Sequence, residues 1–157
     1  MITEDYVSFE TAKLLKEKGF DARCPMIYTA DGKMLYTDVK HHNMYAVTNK
    51  QLKYYTDIIA PTQTMAMKWL REVHNILLVV DYDYEFTSTS YIYKIYRLVE
   101  NGRPERVIVK GTSYDKDNNP TEHIVAVRDY ERSAEEYATY QQAAEAGIKY
   151  CLEMLVK

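Results

Sequence analysis

Ala60-Pro-Thr-Gln-Thr-Met-Ala-Met-Lys-Trp-Leu-Arg-Glu-Val-His-Asn75, running on into Ile76-Leu-Leu-Val-Val80, is the stretch that decides the fold. Pro61 disfavours an earlier helix start, and the Thr62 hydroxyl is suited to cap the first turn. Met65, Ala66, Trp69, Leu70 and Val73 recur at helical spacing as one apolar stripe, with Gln63, Lys68, Arg71 and Glu72 on the opposite side. Asn75 fits a left-handed residue just past the helix end, and the β-branched run after it reads as a strand. The only Trp is thereby expected in the core, at the junction of a helix with a buried strand.

Working outward, two further helices are expected. Ser8 caps the first, whose inner face is Phe9, Ala12 and Leu15; Gly19 stops it and Phe20 folds back on Leu15. The last has Ser133 or Thr139 as its cap and carries Tyr140, Ala143, Ala144, Gly147, Ile148, Cys151, Leu152 and Leu155 on one side. Gly147 within that face costs about 1 kcal/mol in helix propensity relative to Ala, which close approach to a neighbouring element would offset.

Between the helices lie strands. Met26–Ala30 and Lys33–Thr37 flank Asp31-Gly32, the pair favoured in a type I′ hairpin turn. Residues 38–51 are polar and aperiodic and are expected to form a mobile loop, with a short strand from Tyr54 to Ile59 after it. Strands are expected at Leu77–Phe86, Tyr91–Val99, Arg106–Lys110 and His123–Arg128, joined as a meander by turns at 101–104 and 115–120. In the first of them Val79, Asp81, Asp83 and Glu85 alternate with Val80, Tyr82, Tyr84 and Phe86, so the carboxylates are expected in water. The fold class is therefore α+β, an antiparallel sheet (meander plus hairpin) covered by three amphipathic helices, in a single domain over residues 1–157. Its expected core is Phe9, Ala12, Leu15, Phe20, Met65, Trp69, Leu70, Val73, Leu78, Val80, Ile148, Cys151, Leu152 and Leu155.

Composition narrows the function classes. A hydrophobic content of 46% over 157 residues suffices for one core. The net charge of -3 disfavours non-specific binding to nucleic acid or anionic lipid. No apolar run approaches the roughly 18 residues of a membrane span, and Met-Ile-Thr-Glu-Asp at the start lacks signal-peptide character, so a cytoplasmic setting is expected. Cys24 and Cys151 suggest no disulfide framework. Tyrosine is the oddity, with 16 residues against 3 Phe.

Chemical constellations are sparse. Asp81, Asp83 and Glu85 would share one strand face and offer oxygen ligands to Mg²⁺ or Ca²⁺, but ordinarily such sites recruit several elements. His41 and His42 point apart on extended backbone, and Cys24, His74 and His123 show no ligand spacing. No signature surrounds a Cys24 or Cys151 pairing with His123, and no Gly-rich phosphate loop is present. The expectation is a protein that is not an enzyme and carries no cofactor or metal. Tyr91, Tyr93, Tyr96 and Arg97 are the candidate partner-binding residues. They serve either a protein partner, self-association included, or single-stranded nucleic acid stacked on the tyrosines, with Arg103, Arg106 and Lys110 near the phosphates. The acidic balance favours the first.

Three segments, Ser8–Phe20, Ala60–Asn75 and Tyr140–Glu153, together resemble a family of small uncharacterised proteins encoded by gut Bacteroidales and by their bacteriophages and prophages. The similarity covers the helices and is weak over the strands. Family members often carry an acidic residue where this chain has Gln141 or Gln142. The resemblance implies a phage or mobile-element setting and a cytoplasmic site of action, and supplies no catalytic residue.

Overall fold

Helix α1 spans Phe9–Glu17, and its first free amides are met as the sequence predicts: Thr11 N–H donates to the Ser8 hydroxyl. The computed structural model describes residues 5–37, 45–52, 54–83, 90–99 and 102–157. After α1 come strands β1 (Met26–Tyr28), β2 (Met34–Tyr36) and β3 (Ile58–Ile59), then helix α2 (Gln63–His74). Strands β4 (Ile76–Asp83), β5 (Ser90–Arg97), β6 (Val107–Tyr114), β7 (Pro120–Arg128) and β8 (Glu131–Arg132) lead to helix α3 (Tyr140–Tyr150), which ends in a π turn over Cys151–Leu155.

The architecture is α+β, with antiparallel strands and three helices, as expected. Among the described residues the strands form three sheets rather than one layer: β2-β1-β3, β4-β5-β8 and the pair β6-β7. The expected meander breaks after β5. The following segment keeps only a bridge, with Leu98 opposite Pro104, held by Glu105 N–H to the Arg97 carbonyl and Val99 N–H to the Arg103 carbonyl. The edge of β5 is taken instead by the returning chain, where Lys94 pairs with Arg132, Ile95 with Glu131 and Tyr91 with Tyr137. Strand β8, only two residues long, has no sequence pattern that could announce it.

Local signals otherwise hold. Gly19 has φ 90°, and Phe20 N–H donates to the Leu15 carbonyl. Thr62 accepts from Met65 N–H, Asn75 ends α2 at φ 56°, and Thr139 rather than Ser133 caps α3 by accepting from Gln142 N–H. The Asp31-Gly32 turn differs from the type I′ expectation. Only Gly32 has positive φ, and Thr29 N–H bonds the Lys33 carbonyl, so the loop has three residues with glycine in the left-handed position.

The core joins α1, β1, β3, α2, β4, β5 and α3. Of the expected members, Ala12, Leu15, Phe20, Leu70, Leu78, Ile148, Cys151 and Leu152 are buried, while Phe9, Met65, Trp69 and Leu155 are half-buried against them. Val73 is 59% exposed, a correction. The buried line of α2 runs through Gln63, Ala66 and Leu70, which leaves Val73 on the flank. Gln63 was expected outside; it is buried and its amide nitrogen donates to the Gln141 carbonyl, tying α2 to α3. Val80 is only half-buried because β4 is an edge strand. The expected strand at 54–59 shrinks to Ile58–Ile59, since Asp57 N–H turns back to the Tyr54 carbonyl. Part of the expected loop is pinned: Val47 is fully buried and pairs with Cys24, and the Asn49 side chain bridges Phe20 and Ile59. Residues 38–44 of that loop lie outside the described residues.

Gly147 lies against the sheet. A Cβ there would stand 2.7 Å from Leu78 Cδ1 and 3.0 Å from Tyr93 Cγ, so the close approach inferred from sequence is to β4 and β5.

His74, at the C-terminal end of α2, packs edge-on to Trp69 with ring centroids 4.4 Å apart. The helix dipole favours the charged imidazolium, but burial and then the Lys18 charge hold the pKa below its ordinary value. The unfolded chain therefore binds the proton more readily. The contribution of His74 to stability is complete above about pH 6.5 and is lost as pH falls through the window below it. Melting temperature should drop across that window, and His74→Gln should flatten the drop.

Candidate functional site

The tyrosines of β5 do not form one platform. Register places Tyr91 opposite Tyr82 and Tyr93 opposite Val80, on the sheet face that meets α3. Tyr96 points to the other face, where its ring lies 5.4 Å from that of Tyr130. Two odd positions and one even position on a strand cannot share a face. Arg97 is engaged by Glu131 at 2.5 Å. Of the candidate partner-binding residues, the structure thus brings Tyr91, Tyr93 and Arg97 to one face and leaves Tyr96 apart.

What the structure assembles instead is a tyrosine-lined cavity of about 650 Å³ between α3, β5 and residues 131–137. Tyr93 forms part of its wall; the ring of Tyr137 stacks on it at 6.1 Å, and that of Tyr150 lies tilted to it at 6.1 Å. Tyr93 is 8% exposed, and its hydroxyl has no hydrogen-bond partner among the described residues. Burial is the main reason its pKa is pushed up to about 12, with Tyr137, Tyr150, Cys151 and Glu135 adding to it. Tyr137 and Tyr150 are raised as well, by burial first and then by Glu135 and Glu131 respectively.

Charges around the cavity are partly committed. Arg132 bonds Asp83, Glu131 takes both Arg97 and the Tyr150 hydroxyl, and Lys149 stands 3.9 Å from Glu153. Glu135 has no side-chain partner among the described residues. Sequence reasoning missed this convergence because Tyr137 and Tyr150 reach Tyr93 from separate elements. The available signal was the tyrosine count.

Of the β4 carboxylates expected in water, the Asp81 side chain is 44% exposed, while Asp83 is buried. Asp81 bonds Lys94 at 2.5 Å, the chief reason its pKa is lowered, while Asp83 is buried against Arg132. Glu85 lies outside the described residues. Among the described residues no three His, Cys, Asp or Glu side chains converge on a metal position. Both thiols are fully buried, and burial pushes Cys24 and Cys151 up to about 12, where little nucleophilic thiolate exists at neutral pH. His123 sits exposed on β7.

The pair β6-β7 projects as an arm. Among the described residues, no other strand or helix packs closely on it. Ile108 faces Val127 and Lys110 faces Ile124 across the ladder, with a register shift at Val109/Lys110. Ile108, Tyr114, Ile124 and Val127 are each more than half exposed.

Comparison with protein-family models, with curated proteins and with solved structures found no match. Among the described residues no helix is long and apolar enough to cross a membrane.

Proposed function

We propose that this chain is a non-enzymatic interaction protein of a phage or mobile element, working in the host cytoplasm, whose β6-β7 arm engages a second copy of the chain. The observation that carries the reading is the uncovered arm. A lone two-stranded hairpin is at best marginally stable in water, so an arm that stays folded needs a cover wherever the rest of the chain is folded. Another copy is the one partner always present.

Area selects the geometry. Strands of 8 and 9 residues, at about 3.3 Å per residue and about 4.8 Å apart, give each face of the arm roughly 250 Å². Two arms laid face to face would bury about 500 Å² in total, short of the ~1,200–2,000 Å² of a stable complex. Reciprocal exchange, each arm covered on both faces by the other copy, reaches about 2,000 Å² and is the arrangement favoured. The buried thiols and the ion-paired Asp81 and Asp83 support the absence of covalent or metal chemistry. The split of the tyrosines between two faces counts against a stacking surface for single-stranded nucleic acid.

Sedimentation of the full chain over a wide concentration range tests the idea. A monomer–dimer transition is expected, abolished by Ile108→Asp with Ile124→Asp, and the melting temperature of the unsubstituted chain should rise with concentration while that of the variant should not. A monomer at every concentration, or a dimer indifferent to both substitutions, would falsify it.

A further inference from the structure

We propose that the tyrosine-lined cavity between α3, β5 and residues 131–137 binds a small organic ammonium ion, its alkyl groups against Tyr93, Tyr137 and Tyr150 and its charge answered by Glu135. The site is independent of the arm. Its volume, about 650 Å³, falls in the range of small-molecule sites. Tyr93, Tyr137 and Tyr150 all line it, Tyr137 and Tyr150 being the more open, and aromatic rings attract a cation that has shed its water. The hydroxyls of Tyr93 and Tyr137 have no hydrogen-bond partner among the described residues, so both remain able to accept from an N–H or ligand O–H group.

Charge points the same way. Glu131, Glu135 and Glu153 outnumber Arg132 and Lys149 around the cavity. Once Arg132 is assigned to Asp83, Glu131 to Arg97 and Lys149 to Glu153, one carboxylate is left over. The neighbouring carboxylates that disfavour phenolate at Tyr137 and Tyr150 favour a cation in the same space. An anionic ligand would meet that excess unfavourably, and a neutral one would gain nothing from it.

The test is an NMR titration of the full chain at low ionic strength, following the ring resonances of Tyr93, Tyr137 and Tyr150. The probes are choline, n-butylammonium and 3,3-dimethylbutan-1-ol, the neutral carbon isostere of choline. Saturable shifts are expected with at least one cation, and the isostere should bind about tenfold more weakly. Glu135→Gln should weaken cation binding several-fold without altering the melting temperature. Lys149→Gln, which removes a competing positive charge from the rim, should strengthen it. Absence of saturable shifts at millimolar cation, equal binding of the isostere, or indifference to both substitutions overturns the assignment.

Discussion

Arg132→Ala should cost about 3–5 kcal/mol of stability, the usual range for leaving one member of a buried ion pair uncompensated. Asp83 is 4% exposed at the end of β4, and the guanidinium of Arg132 reaches it from β8, across the intervening strand β5. With Arg132 gone, the buried carboxylate loses the guanidinium that offsets its desolvation, and that costs free energy. The expected signature is non-additive. Asp83→Asn combined with Arg132→Ala should recover much of the loss, because the charge is then gone from both sides. Urea unfolding followed by Trp69 fluorescence measures all three variants; a single-mutant loss below about 1 kcal/mol would show that water reaches Asp83 freely.

Phe20→Ala should be comparably damaging, about 3–5 kcal/mol. The ring is 2% exposed, meets Trp69 edge to face at 5.6 Å, and belongs to the residue that closes α1 beyond Gly19. Removing it opens a cavity where α1 meets α2. Trp69 then gains solvent, and its emission should move to longer wavelength even in the folded variant. Trp69→Ala itself should cost less than a fully buried indole would, since Trp69 is only half-buried. Unchanged emission in the Phe20 variant would mean that the two rings do not support one another.

These two sites mark how far the sequence can be read. The closure of α1 around Gly19 and Phe20, the caps at Ser8 and Thr62 and the left-handed Asn75 all depend on residues within one turn of each other. Such features are written locally and were legible. Asp83 was not, because its alternation with Val80 and Tyr82 says which residues share a face and nothing about what covers that face. The cover comes from β8, 49 residues later. Gln63 shows the same limit, since only α3 supplies the carbonyl that lets its amide go inside. The candidate site was half visible: Tyr93 could be singled out from β5, whereas Tyr137 is placed by its pairing with Tyr91 and Tyr150 by the docking of α3.

Gly147 also governs how that docking behaves. Bare helix backbone sits where Leu78 and the root of the Tyr93 ring leave no space for even a methyl group. The phenol is clamped at its base and has little freedom to swivel, whereas Tyr137 and Tyr150 are half open to solvent. The hollow they enclose thus has one wall anchored in the sheet itself, so a change in its width would have to come from the residues facing that wall.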